Sequence, residues 1–532
     1  MKLVDEVDED KLRGGFYTPE PVAKFILKWG MNGDENLDIL EPSCGDGVFL
    51  KQIKNLDYDY NSVKGIEIVD EEAKKARSID LDNCEVLNKD FLDYCSLTGD
   101  RFDLVVGNPP YIRYQYVPDE AHNKAEKLFE RAGLDYSRLS NMWLSFAVGS
   151  SLLLKDHGKL GMVVPAGLLQ TSNTEPIREF LAERFDKISI ISFEELVFKD
   201  IDQEVVLLLA EKNGNDKLQI EHLEVEDEQE LGELDVDKLK SPDKEINPRS
   251  DKWTFFFLDQ EEIDLIEKYR SNETDKLGDY ADVQVGMTTG YNKFFTVTKE
   301  TVEEYNLHEY SEKMVGRAVQ VPSLVFTEED WRENTTKDRR AYFLKFPPKD
   351  ELEGGPLDYV NWGEEEGFHN GYKTGKRDEW QVVPSTWISD ALFIRRNNEY
   401  PKLILNEAEA YTTDTMHRVQ LDEDVNEKAL IASYYNSLSL AFAEISGRSH
   451  GGGALELMPN EAEKIRIPYD EENEGLLDEI DQMLREGKSI DEIVEYTDEI
   501  ILKERAGLSE EEIETANNAW NKLRERRLNR GS

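Results

Sequence analysis

Phe102-Asp103-Leu104-Val105-Val106-Gly107-Asn108-Pro109-Pro110-Tyr111 joins an apolar run to a segment that packs poorly. The apolar half reads as a buried strand, and the other half stands at its carboxyl end. Pro109 and Pro110 have no N–H and a fixed φ, so they stiffen the backbone and leave its carbonyls to accept hydrogen bonds. The Asn108 amide oxygen adds a second acceptor, and Tyr111 adds a flat stacking face. Such a set suits a planar amino group, which has two N–H bonds to satisfy and a ring to stack. Alone the motif could be a proline-rich turn after a core strand, so its weight depends on context.

The context is a βαβ alternation over the first 210 residues. Strands are expected at 37–40, 63–68, 85–87, 104–106, 160–164, 188–192 and 205–210, and helices at 21–29, 48–53, 70–77, 142–154 and 175–185. Seven strands with crossover helices predict an α/β, Rossmann-like doubly wound sheet, and such sheets bind ligands at the carboxyl ends of their strands. Three further segments fall at that edge. Glu41-Pro42-Ser43-Cys44-Gly45-Asp46-Gly47 is a glycine turn between strand and helix, where a ligand can approach the backbone closely. Glu41 and Asp46 make the loop acidic, which disfavours a pyrophosphate and suits a cationic ligand bearing an amino group. Glu67, at the tip of the second strand, is placed to hold ribose hydroxyls. After the third strand, Asp90 could accept from an adenine amino group and Phe91 could stack on its ring. Upstream, Gly14-Gly15-Phe16-Tyr17-Thr18-Pro19 precedes a helix and reads as a further cofactor wall.

Together these segments resemble the S-adenosylmethionine-dependent amino methyltransferases, specifically the gamma class of N6-adenine DNA methyltransferases of restriction–modification systems. Phe16–Pro19, Glu41–Gly47 and Asn108–Tyr111 stand in that family's order, and the likeness extends through Gly158–Gly167 to Glu195–Phe198. It implies a seven-stranded class I methyltransferase domain followed by an α+β target recognition domain. It also implies S-adenosylmethionine as cofactor, held by Tyr17, Thr18, Pro19, Glu41, Ser43, Cys44, Gly45, Asp46, Gly47, Glu67, Asp90 and Phe91, with no metal. Asn108, Pro109, Pro110 and Tyr111 would act on adenine N6 of double-stranded DNA. The target base must be flipped out of the helix, with Tyr111 as stacking platform and Phe198 as second aromatic wall.

The rest of the chain is consistent with three parts: a methyltransferase domain at 1–245, a recognition domain at 252–470, and a helical C-terminal region at 471–532. Residues 211–251, with Ser241-Pro242 and Asn247-Pro248, read as a fading last hairpin and a linker. Beyond Trp253 short mixed runs, many aromatics and glycine turns predict α+β structure. Near the end, Ser489–Glu492 and Ser509–Glu512 are capping-box patterns, and Gly487 and Gly507 separate helices. Arg395-Arg396, Arg339-Arg340, Lys373–Arg377 and Arg448 are candidate phosphate contacts. His450 with Gly451–Gly453 reads equally as a DNA-tracking loop or a turn. Lys2–Arg13 and the terminal Arg524, Arg526, Arg527 and Arg530 read as peripheral.

Charge runs against a nucleic-acid partner: 113 acidic residues face 64 basic ones, for a net charge of −49. The acids are spread throughout, which favours a salt-loving host. At about 1 M salt the Debye length is only ~3 Å, so distant carboxylates scarcely repel a phosphate backbone. The chain has no run of 18 apolar residues, an acidic start, and three cysteines (Cys44, Cys84, Cys95) without zinc or disulfide spacing. A cytoplasmic location without a membrane span is expected. A cognate endonuclease, if one exists, should be a separate chain. Two other readings use the same residues: an NPPY-type methyltransferase acting on RNA or a protein glutamine amide, and a non-catalytic DNA-recognition subunit. The long C-terminal part and Phe16–Pro19 disfavour the first, and the intact Asn108–Tyr111 disfavours the second.

Overall fold

The computed structural model describes residues 17–56, 58–195, 197, 204–212, 214, 218–236, 244, 252–271, 274–450 and 452–529. Of the residues singled out above, Phe198, Gly14–Phe16, Lys2–Arg13, Gly451, Arg530 and both proline pairs of the linker lie outside the described residues. The chain divides into two compact units, one reaching Gln260 and the other beginning at Glu261, with 450–452 grouping with the first.

The first unit is built on eight strands: β1 (Leu37–Glu41), β2 (Tyr60–Glu67), β3 (Cys84–Asn88), β4 (Phe102–Gly107), β5 (Leu154–Pro165), β6 (Lys187–Phe193), β7 (Val205–Glu211) and β8 (Gln219–Val225). Their order is β3-β2-β1-β4-β5-β7-β6-β8. β7 runs antiparallel to both β5 and β6, and the remaining pairings are parallel. Helices α1 (Glu20–Met31), α2 (Val48–Leu56), α3 (Asp70–Arg77), α4 (Phe91–Leu97), α5 (Asp119–Ala132), α6 (Met142–Leu152) and α7 (Glu175–Arg184) accompany the sheet.

The near-continuous apolar strands follow from burial on both faces. Leu104 and Val106 of β4 join one core cluster, and Val105 between them joins the other. Every residue from Met142 to Ser151 of α6 is buried, which explains a helix sequence with almost no polar side. The expected seven strands are present. The fading hairpin of 211–251 is a correction: Gln219–Val225 does not fold back on β7 but lies parallel beside β6 as an eighth strand. Ser192 Oγ lies 2.8 Å from His222 Nε2 and donates to Glu224 at 3.1 Å across that pairing, so a charged strand is accepted at the sheet edge.

The second unit is α+β. Leu403–Leu405, Ala391–Ile394, Met416–Leu421 and Ala281–Val285 form one four-stranded sheet, antiparallel throughout. A second sheet contains Thr296–Val297, Tyr342–Leu344, Ser311–Val315 and Tyr411–Thr412. The aromatic-rich texture becomes a cluster around Phe294, which packs on Phe295, Tyr359, Trp362, Phe368 and Trp380. Helices follow at Glu474–Arg485, Ile490–Thr497 and Glu510–Asn529. Both capping boxes form: the Ser489 and Ser509 N–H groups donate to Glu492 and Glu512 at 2.9 Å, and each glutamate N–H donates back to the serine hydroxyl at 3.2 Å. Gly487 and Gly507 close the preceding turns with φ of 89° and 74°.

Most arginines assigned by sequence to DNA or to the periphery are instead structural. Arg395 and Arg396 share Glu456 at 3.0 Å, and Arg448 pairs with the buried Glu461 at 2.8 Å. Arg377 donates to the carbonyls of Thr288, Thr289 and Trp380. Arg527 is 2 % exposed and bonds both oxygens of Glu444.

Asp498 is a second buried charge site, where the helix Ile490–Thr497 continues as a wide turn to Arg505. Its Oδ1 accepts the Ser437 N–H at 2.8 Å, and burial pushes the carboxyl up to about 6. In the unfolded chain it ionises near ~3.9. Between these values the unfolded state has released a proton that the folded state keeps, so stability falls as pH rises through the window. Asp498→Asn keeps an acceptor for Ser437 without the charge. We expect it to raise stability above pH 6 by on the order of 1–3 kcal/mol and to be neutral near pH 4. Chemical denaturation at the two pH values measures this; an equal effect at both would refute it.

Candidate active site

The strand order reverses between β1 and β4, which are hydrogen-bonded neighbours. A crevice is expected at such a switch point, and two of the sequence-selected segments leave these two strands. Ser43 donates from Oγ to the Asn108 carbonyl at 3.0 Å, which ties the acidic loop to the Asn-Pro-Pro-Tyr segment 65 residues away. At the far end of that segment, the Tyr111 hydroxyl donates to the Val163 carbonyl at 3.0 Å on β5. Burial pushes its phenol well up, so the ring is neutral. The Ile112 carbonyl accepts the Met142 N–H at the start of α6. Asn108, Pro110 and Tyr111 are half-buried and Pro109 is buried. The segment is therefore held at three points along its length, as positioning chemistry requires.

The loop after β1 turns on two glycines. Gly45 has φ +49°, and an added Cβ would meet nothing within 4 Å. Gly47 has φ +89° and is close-packed: a Cβ would sit 2.3 Å from Ile79 Cδ1. One glycine thus opens the loop to solvent, and the other lets it seat on α3 and its following turn. Cys44 is buried and donates its N–H to the Ile66 carbonyl, and burial pushes its thiol far up. Asp46 pairs with Lys51 at 3.1 Å.

Glu67 takes the Gly45 N–H on one oxygen at 2.9 Å and the Val69 N–H on the other at 2.8 Å. Each oxygen keeps a second lone pair, which suits a ribose diol. Asp90 caps α4 through Leu92 N at 2.8 Å and pairs with Lys124 at 2.8 Å. Phe91 is 2 % exposed and stacks on Phe146 with centroids 4.8 Å apart. Its ring belongs to the core, so a ligand could meet it only at an edge, and the full stacking expected of it is corrected. Thr18 is buried, Tyr17 is 63 % exposed, and the Pro19 carbonyl accepts the first N–H groups of α1.

Lys124 escaped sequence reading. It reaches Asp90, Asp93 and Glu120 within 3.0 Å. Only the Glu120 spacing of four residues was a local signal; the Asp90 contact spans 34 residues and has none.

The residues present fit S-adenosylmethionine. Glu41 is 2 % exposed, and its Oε2 has no hydrogen-bond partner among the described residues. Burial, then Asp46 and Glu67 nearby, push its carboxyl well above the usual range. Of the three carboxylates gathered around this open glycine turn, Asp46 alone has a cation partner, Lys51, among the described residues, and a sulfonium bearing an α-ammonium would supply positive charge to the other two. This fold and site are those of a class I S-adenosylmethionine-dependent methyltransferase.

An N-6 DNA methylase profile matches residues 6–266, and a profile of the type II methyltransferase M.Eco57I C-terminal domain matches residues 250–502. The chain belongs to the N6-adenine DNA methyltransferase family. It is 23 % identical over 521 residues to the type II methyltransferase M.AccI of Acinetobacter calcoaceticus, covering 91 % of this chain and 92 % of that one. M.HindII of Haemophilus influenzae is 26 % identical over 310 residues, 55 % of this chain and 57 % of its own. M.HincII, from the same species, is 29 % identical over 204 residues and 38 % of each chain.

Proposed function

We propose that this adenine-specific DNA methyltransferase acts through Asn108, Pro109 and Tyr111 on an adenine flipped out of double-stranded DNA, as the modification enzyme of a restriction–modification system. The Ser43–Asn108 hydrogen bond carries the proposal, because it couples the cofactor loop to the amino-group acceptors. Bound S-adenosylmethionine supplies an electrophilic methyl group. Adenine N6 is a weak nucleophile, its lone pair being delocalised into the ring. The Asn108 side-chain oxygen and the Pro109 carbonyl accept its two N–H bonds and favour a tetrahedral nitrogen. Tyr111, with its hydroxyl anchored on Val163, offers the stacking face, and Phe198 is the proposed second wall. Positioning by fixed acceptors supplies most of the rate.

In this reading Thr18, Ser43, Gly45, Asp46, Glu67 and Asp90 line the cofactor, and Glu41 faces its cationic end. The unit from Glu261 onward is the target recognition region. No described helix is long and apolar enough to cross a membrane, and we place the enzyme in the cytoplasm.

The Glu41 environment makes cofactor binding proton-linked. A cationic ligand favours the carboxylate, so binding at low pH must eject a proton. Affinity for S-adenosylmethionine should therefore rise with pH until Glu41 ionises without ligand. Calorimetry in buffers of differing ionisation enthalpy should detect proton release, and Glu41→Gln should remove it. Release that persists in the variant would assign the proton elsewhere.

The functional test is methylation of unmodified, sequence-diverse DNA in molar KCl, read by single-molecule sequencing. N6-methyladenine confined to one short motif is the expected result. Cofactor binding without DNA modification would transfer the chemistry to RNA or a protein amide.

A further inference from the structure

A cavity of about 470 Å³ opens in the second unit, between the strands Thr296–Val297, Ser311–Val315 and Tyr411–Thr412 and the turns that follow them. Three arginines line it: Arg317, Arg339 and Arg340. Arg339 is braced, donating to the Val319 carbonyl at 2.8 Å and to Asn334 Oδ1 at 2.7 Å. Arg317 and Arg340 are exposed, and among the described residues neither guanidinium has a hydrogen bond or an ion pair. They put unneutralised positive charge at one place in a chain of net charge −49. The neighbouring Lys313, Arg332 and Lys337 are all paired with glutamates. Asp338 is the one carboxylate in the cavity lining among the described residues.

The rest of the lining is hydroxyl-rich, with Thr296, Thr298, Thr413 and Thr415. The wall is rigid: Thr415 donates to the Gly316 carbonyl at 2.6 Å, and Gln320 accepts the Gly316 N–H and donates to the Arg340 carbonyl. Both uncommitted arginines thus flank a braced turn. Arginine forks with hydroxyl groups are the usual recognition set for phosphate oxygens. A duplex approaching an acidic protein needs local patches of reversed sign.

We propose that this cavity is a phosphodiester-binding site for the DNA strand, with Arg317 and Arg340 as the contacting groups. The inference deepens the functional reading above and rests on it. It assigns the site to backbone anchoring, which is independent of base sequence, and not to readout of the target motif.

The test is anisotropy binding of the full-length protein to labelled duplexes, with and without the methylated motif, across a KCl series. Arg317→Ala/Arg340→Ala should weaken binding to both duplexes by about 10–100-fold. The slope of log K against log salt should fall in magnitude by roughly 2, one unit per lost phosphate contact. S-adenosylmethionine affinity and the methylated motif should not change. Arg340→Glu alone should weaken both duplexes further than Arg340→Ala. An unchanged slope and affinity would overturn the proposal. A relaxed motif at unchanged slope would overturn it too, by making the arginines base readers. Loss of inorganic phosphate binding with DNA binding intact would assign the cavity to a free phosphate. If the wild type neither binds nor methylates DNA, the functional reading fails first; if it does both and only the variants are silent, this inference fails alone.

Discussion

Asn108→Ala should lower methyl transfer to DNA by at least about 10³-fold while leaving S-adenosylmethionine affinity nearly unchanged. In the proposed mechanism the substitution removes one of the two acceptors for the adenine amino group, and it leaves the backbone that the segment's anchors hold. Ser43 bonds the Asn108 carbonyl, and Tyr111 bonds Val163, through atoms the substitution does not touch. The cofactor loop keeps its Gly45–Glu67 contact as well. A loss of ~10³ corresponds to roughly 4 kcal/mol of transition-state stabilisation. Single-turnover methylation with calorimetric cofactor binding separates the two effects. If cofactor binding collapses with activity, the residue supports the loop and does not act on the amino group.

The second large effect concerns stability. Arg527, on the helix Glu510–Asn529, reaches Glu444 on the helix Ser437–Ser446 at 2.7 and 3.0 Å, with both side chains 2 % exposed. The same guanidinium donates to the carbonyls of Asn398, Glu399 and Gly453. Glu444→Ala leaves that charge buried without its counter-ion. We expect a cost of about 3–5 kcal/mol, since desolvation is no longer offset. Replacing both by apolar residues, Glu444→Leu/Arg527→Met, should cost much less than the sum of the singles. Salt should scarcely change either result, because a buried pair is poorly screened. Additive singles and double in a denaturant cycle would show that the two charges are not coupled.

How much was legible beforehand depends on the distance over which each feature is decided. The helix starts at Ser489 and Ser509, the glycine turns at Gly45 and Gly47, and the strand leading into Asn108 are set by residues a few positions apart. Elementary chemistry therefore identified them in the linear chain, along with the parallel βαβ alternation and the acidic loop. Glu41 was singled out for its charge alone. That it is buried and lacks a hydrogen-bond partner among the described residues emerged only when β1 was placed inside a sheet.

The sequence by itself determined which residue types stand at the carboxyl ends of the strands, because strand periodicity and turn chemistry are local. Only the tertiary structure decided their company. It paired β8 with β6 and not with β7, brought Lys124 to Asp90, buried the ring of Phe91 on Phe146, and tied Ser43 to the Asn108 backbone. It also sorted the arginines. Arg395, Arg396, Arg448 and Arg527 found carboxylates, and Arg317 and Arg340 did not. In a chain with acids on every segment, the partner of a given cation is chosen by packing among residues far apart in sequence, and no local pattern records that choice.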